Sequence, residues 1–171
     1  VVLGDLGQHA AAQQALRAAL QLRPGYLEAH DNLLFTLNYD PDLGMAAIFA
    51  AYQDYGRQFR RIDLPTLPSR SEPRNTSRRL RIGYVSPDFR EHAMRRFLQP
   101  VLEHHDKQQV EVWAYAEYAA PDAATAHYQS LADHWVPTLG LSDEALAQRI
   151  QADGIDILVD LAGHTRGNRL P

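Results

Sequence analysis

The spacing of hydrophobic positions changes near residue 79. Before that point apolar side chains recur every three or four residues, as with Leu16 and Leu20 or with Tyr52 and Tyr55, which is typical of amphipathic helices. After it, short apolar runs alternate with helical patterns. The spacing therefore predicts an α plus α/β chain, in which a helical part precedes a sheet with helices between its strands.

The second half of the chain alternates regularly between strand-like and helix-like segments. In 110–117, valine and alanine occupy one side, while Glu111, Trp113 and Tyr115 occupy the other. Alternating strands and helices predict a parallel sheet with right-handed crossovers. We expect Pro100 to bend its helix or to restrict it to a first turn. The predicted strands are 79–86, 110–117, 135–136 and 155–161, and the predicted helices are 94–102, 121–131 and 142–154.

Alanine and leucine dominate the start of the chain. Ala12 and Ala19 are small enough to let two helices approach closely, and Pro24 ends the first of them. With Gly7, these residues resemble the tetratricopeptide repeat, and a plain alanine-rich helical hairpin is the alternative. Because such repeats need about three copies to bury a continuous core, we expect further repeats upstream and a chain that is a piece of a longer polypeptide.

A helix and a linker follow the repeat-like segment. The helix, 42–59, carries apolar and aromatic side chains at three- and four-residue steps, which favours a packing face. Residues 62–78 contain three prolines among serines and arginines, which indicates a linker. We divide the sequence into part of a repeat solenoid (1–40), a coupling helix (41–61), the linker and an α/β lobe (79–171). The predicted packing face comprises Met45, Ile48, Phe49, Tyr52, Tyr55 and Phe59.

Composition narrows the classes of function. The 171 residues carry a net charge of −4 with a pI of about 6.0, so no broad basic field attracts nucleic acid or anionic lipid. There is no cysteine, which excludes disulfides and thiolate metal sites and suits a reducing cytoplasm. No apolar run approaches the roughly 20 residues that span a bilayer. We therefore expect a cytoplasmic protein without a nucleic-acid or membrane partner.

Polar residues follow the first and last predicted strands. In a parallel sheet both loops leave from the same edge, where ligands of α/β proteins gather. His92, in the first loop, is of the residue type that exchanges protons near neutral pH, although a surface histidine is the simpler interpretation. In the second loop an aspartate can cap a helix and a glycine can form a turn, or the backbone N–H groups can approach a phosphate. The candidates in this loop are Asp160, Gly163, His164 and Thr165.

Several familiar site motifs do not occur. The first predicted strand is not followed by G-x-G-x-x-G, and the sequence contains neither a Walker lysine loop nor H-E-x-x-H. A dinucleotide oxidoreductase and a P-loop enzyme are therefore disfavoured. His104 and His105 are adjacent on a helix, so they point about 100° apart and are poorly placed to chelate one ion.

Two blocks give the chain a specific resemblance. Residues 80–89 read LRIGYVSPDF and are followed by His92, and residues 153–165 read DGIDILVDLAGHT. Both follow the repeat-like helices, and together they resemble the tetratricopeptide-repeat O-linked N-acetylglucosamine transferases, in a bacterial form. By motif position, His92 matches the family's active-site histidine, proposed as general base or as a contact to the reacting donor. Asp160 to Thr165 match the segment that lines the same cleft.

The resemblance implies an inverting, metal-independent enzyme with no cofactor, built from two Rossmann-like lobes in the GT-B arrangement. Residues 79–171 would be the N-terminal lobe, and the second lobe, which holds most of the nucleotide pocket, is absent from the chain. Such enzymes move N-acetylglucosamine from UDP-GlcNAc to serine or threonine hydroxyls of proteins, and the repeats present the acceptor polypeptide. The chain alone would then be inactive.

Two other functions remain open from the sequence. Some relatives with this architecture transfer fucose, and a repeat-containing adaptor with a non-catalytic α/β lobe would share the same helices and strands. The charged residues Arg90, Glu91, Arg95 and Arg96 around His92 differ from what we expect of the animal enzymes, which bears on the preferred acceptor.

Overall fold

The structure is a computed structural model that describes residues 2–59, 78–118, 120–165 and 167–169. The predicted linker lies outside these ranges except for Arg78. The described residues form two compact units. A helical unit contains the residues up to 59 together with His164 and Thr165, and a sheet unit contains the residues between 78 and 163 together with 167–169.

The helical unit begins with an alanine-rich pair of helices. Pro24 lies in the turn after the second helix, as predicted. Ala12 is buried where this helix packs against the next, and the neighbouring Gln13 donates a hydrogen bond of 2.9 Å to Asp40. That the pair is a tetratricopeptide repeat stays a prediction. The helices are α1 (Val2–Asp5), α2 (His9–Leu22), α3 (Leu27–Leu37) and α4 (Met45–Phe59).

The predicted packing face of α4 is only partly correct. Tyr55 is buried against Leu34 and Leu37 of α3, with Tyr52 and Phe59 packed around it. Met45 and Phe49, in contrast, are 81% and 64% exposed. At 100° per residue, Phe49 lies about 120° around the helix from Tyr55. The side of α4 that faces α3 is therefore narrower than the apolar pattern suggests.

The sheet unit contains a parallel sheet of four strands, as predicted, in the order β3-β2-β1-β4. Its strands are β1 (Leu80–Ser86), β2 (Val110–Ala116), β3 (His134–Pro137) and β4 (Ile157–Asp160), and its helices are α5 (Arg95–Glu103), α6 (Ala123–Leu131) and α7 (Asp143–Ala152). Ser142 caps α7, as predicted, by accepting a hydrogen bond from the backbone N–H of Ala145.

The alternation along β2 separates two hydrophobic cores. Val112 and Ala114 face one side of the sheet, where α5 and α6 cover them. Trp113 and Tyr115 face the other side and pack against Leu146 of α7. The predicted division of its side chains between two sides is confirmed. Helices on both faces of a parallel sheet are the α/β arrangement that the sequence pattern predicts.

Of the two effects expected of Pro100, restriction of the helix to a first turn is wrong, and a bend at this residue stays a prediction. Helix α5 continues for three residues past Pro100 instead of ending in its first turn. Leu98 and Leu102, on either side of the proline, are 4% and 1% exposed, so burial holds both halves of the helix in place. The apolar run 155–161 predicts a strand buried on most sides, but β4 is an edge strand of the described sheet and its Leu158 is 51% exposed.

None of the helices in the described ranges is long and apolar enough to cross a membrane.

Candidate functional site at the carboxyl edge of the sheet

The loops after β1 and β4 leave the sheet at the same edge. The two strands are parallel neighbours, with Val85 opposite Asp160, and the backbone N–H of Leu161 donates to the carbonyl of Val85 over 3.1 Å. Farther along, Gly167 has a φ of 82°, and a Cβ at this position would lie 3.2 Å from the ring of Pro87. Only glycine combines this left-handed backbone conformation with such a close approach to Pro87. The shared edge predicted from the sequence is confirmed.

The loop after β1 is organised around a buried carboxylate. Ser86 is buried, and its hydroxyl oxygen accepts a hydrogen bond of 3.0 Å from the backbone N–H of Asp88. Asp88 is itself only 7% exposed. Its Oδ1 accepts a hydrogen bond of 3.1 Å from the guanidinium of Arg90. A negative charge is thus fixed at the base of the loop that carries His92.

His92 lies on the outer part of this loop. Its side chain is 41% exposed, and its Nδ1 is 3.3 Å from the backbone nitrogen of Met94 and 3.6 Å from Oδ2 of Asp88. Within the described residues both of its polar contacts involve Nδ1. Nε2 lies on the far side of the ring.

An open concavity of about 740 Å³ adjoins His92. The first turns of α5 form its wall, so the arginines next to His92 and the exposed ring of Phe97 border the same space. It is a shallow, solvent-open surface formed by one loop and one helix. The lining residues are Glu91, His92, Ala93, Arg95, Arg96, Phe97, Gln99 and Pro100.

The N-terminal end of helix α6 is hydrogen-bonded to the His92 loop. Asp122, its N-cap, accepts hydrogen bonds of 2.8 Å from the backbone N–H groups of Glu91 and Thr125. The Thr125 hydroxyl donates to the carbonyl of Phe89 over 2.8 Å. The bonds from Glu91 and Thr125 keep the pKa of Asp122 below its usual value. Sequence reasoning missed these two residues, although an aspartate three residues before a threonine at a helix start is a capping signal.

The loop after β4 begins with a tight turn. Oδ1 of Asp160 accepts hydrogen bonds from the backbone N–H groups of Ala162, at 3.1 Å, and Gly163, at 2.6 Å. Gly163 has a φ of 55°, which favours glycine. These two N–H groups have Asp160 as their acceptor, and that the loop's backbone N–H groups approach a phosphate or a sugar stays a prediction. Asp160 and Gly163 give the loop its shape.

His164 is engaged within the helical unit. Its Nδ1 is 2.8 Å from Oδ1 of Asp31, and its ring contacts Tyr55 edge-on at 4.8 Å and Tyr52 at 5.3 Å between centroids. Burial and the charge of Asp31 raise the pKa of Tyr55 to about 12. Thr165 is exposed and belongs to the same unit. The structure therefore groups His92 with Asp88 and Asp160 with Gly163, and it places His164 and Thr165 with the helices.

Arg169 forms hydrogen bonds with the segments that follow β2 and β3. Its guanidinium donates to Glu117 after β2 at 2.5 Å, to Asp143 at 2.7 Å and to the carbonyl of Leu141 at 2.9 Å. Its side chain is 17% exposed. No local pattern marks this residue, because its partners are distant in the chain. They form an ionic cluster at the same edge of the sheet.

Across residues 2–59, 78–118, 120–165 and 167–169, no three histidine, aspartate or glutamate side chains converge as a metal site would require.

Comparisons with known proteins identify the family. The sequence model of Glycosyl transferase family 41 matches residues 23–170. Over 161 residues the chain is 32% identical to the probable UDP-N-acetylglucosamine–peptide N-acetylglucosaminyltransferase SPINDLY of Oryza sativa subsp. japonica, covering 92% of this chain and 17% of that protein. Over 93 residues it is 39% identical to the probable enzyme of the same description, SEC, of Arabidopsis thaliana, covering 54% of this chain and 10% of that protein.

A solved structure shows the same fold. A mutant O-GlcNAc transferase from Thermobaculum terrenum matches with a TM-score of 0.87 at 36% identity, over 98% of this chain and 32% of that one. The chain thus spans a small part of the length of its relatives. The family match nevertheless includes both loops at the carboxyl edge of the sheet. By its sequence and its fold, the chain belongs to Glycosyl transferase family 41.

Proposed function

We propose that the protein containing this chain transfers N-acetylglucosamine from UDP-GlcNAc to serine or threonine hydroxyls of proteins, with inversion and without a metal ion. The observation that carries the proposal is the position of His92. It lies beside an open concavity, on a loop at the carboxyl edge of a parallel sheet, in a chain of a glycosyltransferase family. The plant relatives are named as probable UDP-N-acetylglucosamine–peptide N-acetylglucosaminyltransferases, which specifies this donor and a peptide acceptor for them.

An inverting transfer makes two demands on the site. The acceptor hydroxyl attacks the anomeric carbon of the sugar as the bond from that carbon to the diphosphate breaks, so the hydroxyl proton needs an acceptor and the diphosphate needs stabilisation. Nε2 of His92 faces away from the loop and can take the proton directly or through water. Arg96 borders the same concavity and adds positive charge for the leaving group, whereas Arg95 is paired with Glu91 at 2.5 Å.

In this proposal the other predicted residues shape and hold the loop after β4. Asp160 and Gly163 shape the turn that borders the donor, and His164 and Thr165 continue the same loop toward the acceptor. The contact between His164 and Asp31 favours a role in holding this loop. Upstream repeats would present the acceptor polypeptide, and a second lobe would supply most of the nucleotide pocket.

The test uses the full-length protein. Isothermal titration with UDP should give saturable binding, and incubation with UDP-GlcNAc and a peptide library should add one N-acetylhexosamine to hydroxyl-bearing peptides, seen by mass spectrometry. Chelation with EDTA should leave the rate unchanged. Addition of deoxyhexose from GDP-fucose instead would favour a fucosyltransferase. If neither UDP nor GDP binds, the protein is an adaptor and the proposal is wrong.

A further inference from the structure

Two groups of the loop after β1 compete for the same nitrogen of His92. The backbone N–H of Met94, 3.3 Å from Nδ1, can only meet a lone pair there. The carboxylate of Asp88, 3.6 Å from the same atom, can only accept a proton from it. A neutral imidazole satisfies one partner at a time. The partner that prevails decides whether Nε2 is a proton acceptor or a donor toward a ligand.

The surroundings of Asp88 favour its carboxylate over the Met94 N–H as the partner of Nδ1. Its side chain is 9% exposed, so its charge is only weakly screened. The hydroxyl of Ser86 fixes its backbone, and Arg90 occupies Oδ1. Oδ2 is the oxygen that faces His92. A fixed carboxylate with one oxygen directed at an imidazole orients the ring in other enzymes that use histidine as a base.

We infer that Asp88 is a positioning residue, which holds the proton of His92 on Nδ1 and leaves the lone pair of Nε2 toward the concavity. The inference rests on the proposed function. As the acceptor oxygen bonds to the sugar, its proton moves to Nε2, and the ring becomes positively charged. Asp88 remains ionised, takes no proton and stabilises that charge. The separation of 3.6 Å must then close to roughly 2.8 Å, since catalytic hydrogen bonds tighten when substrate binds.

The kinetic test is a double-mutant cycle in the full-length enzyme. D88N should lower kcat for transfer from UDP-GlcNAc by at least about 30-fold, with KM for the donor within about threefold. In an H92A background the same change should cost less than about threefold, because Asp88 acts through His92. E103Q is the matched control, since Glu103, the last residue of α5, is also a carboxylate 3.1 Å from a histidine, His127 of α6, and the change should leave kcat within twofold.

A spectroscopic measurement separates this inference from the proposed function. In protein labelled with ¹⁵N-histidine and assigned with H92Q, neutral His92 should carry its proton on Nδ1, and D88N should move the proton to Nε2. A proton on Nε2 of the wild-type protein overturns the inference, as does an equal loss from D88N with and without His92. If transfer fails with every donor while the tautomer is as expected, only the proposed function falls. Where D88N does not fold, the wild-type spectrum decides.

Discussion

The ring of Tyr115 closes the space over Gly83. A Cβ at residue 83 would lie 3.0 Å from Cε2 of Tyr115 and 3.2 Å from side-chain atoms of Ile155 and Leu158. Gly83 lies in the middle of β1, between β2, which contributes Tyr115, and β4, which contributes Leu158. Glycine is therefore needed at residue 83 for steric reasons, because the absence of a side chain lets the aromatic ring of one strand pack over the backbone of the next.

Gly83→Ala should destabilise the sheet unit by about 1–3 kcal/mol, the usual cost of overpacking a core. Both tryptophans, Trp113 and Trp135, belong to this unit, so urea unfolding followed by their fluorescence reports on it directly. The same substitution at Gly56 of α4 meets nothing within 4 Å and should not lower stability by far-UV circular dichroism. An unchanged urea midpoint for Gly83→Ala would show that the ring moves aside freely.

Asp122→Ala should lower the stability of the sheet unit in a pH-dependent way. The hydrogen bonds from Glu91 and Thr125 favour the ionised carboxyl and lower its pKa from the ordinary 3.8. A lowered pKa in the folded state contributes stability that is fully present above about 3.8 and is lost as the pH falls through the folded value. The difference between wild type and variant in urea midpoint should thus be constant from pH 6 to 8 and shrink below about pH 4.

The control for this prediction keeps the helix cap intact. Thr125→Ser retains the hydroxyl that donates to Phe89, so it should follow the wild-type pH profile. A difference between wild type and Asp122→Ala that is the same at pH 3 and pH 7 would mean that the carboxylate charge has no part in holding the His92 loop.

Periodicity was sufficient to predict the sheet and part of the site. The alternation in β2 separated Val112 from Trp113 correctly, and the parallel arrangement placed the loops of His92 and Asp160 at one edge. These features depend on neighbours along the chain and on general rules of chain connection. A pattern of this kind shows that a face is apolar but does not show what covers it, which is why the exposure of Phe49 was not foreseen.

Contacts between residues that are distant in the chain cannot be predicted from the local sequence pattern. Asp31 and His164 are separated by 133 positions, and nothing local marks either as a partner of the other. The role of Asp160 also depended on coordinates, because an aspartate after a strand can cap a helix, bind a ligand or close a turn. Only the bonds from Ala162 and Gly163 identify the turn.

Asp31 and His164 should prove energetically coupled. Their side chains are 14% and 18% exposed, and a hydrogen bond to a charged group at such a site contributes on the order of 1–2 kcal/mol. Asp31→Asn and His164→Gln should each destabilise the helical unit, and the double variant should lose about 1 kcal/mol less than the sum. Urea unfolding by far-UV circular dichroism measures the cycle. Asp31→Asn combined with His9→Gln should be additive, because His9 stacks on Tyr39 instead.

His92→Ala should separate chemistry from folding in the full-length enzyme. The side chain is 41% exposed and its polar contacts in the described chain lie within its own loop, so its removal should change Tm little. A positioned proton acceptor contributes about 10²–10⁴-fold to a rate, so kcat for sugar transfer should fall by at least about 100-fold while UDP still binds. His104→Ala is the matched control, because His104 lies at the other end of α5 and contacts the carbonyl of Pro100. Near-normal turnover by His92→Ala, with His104→Ala also active, would remove His92 from the mechanism and leave the concavity beside α5 without its proposed base.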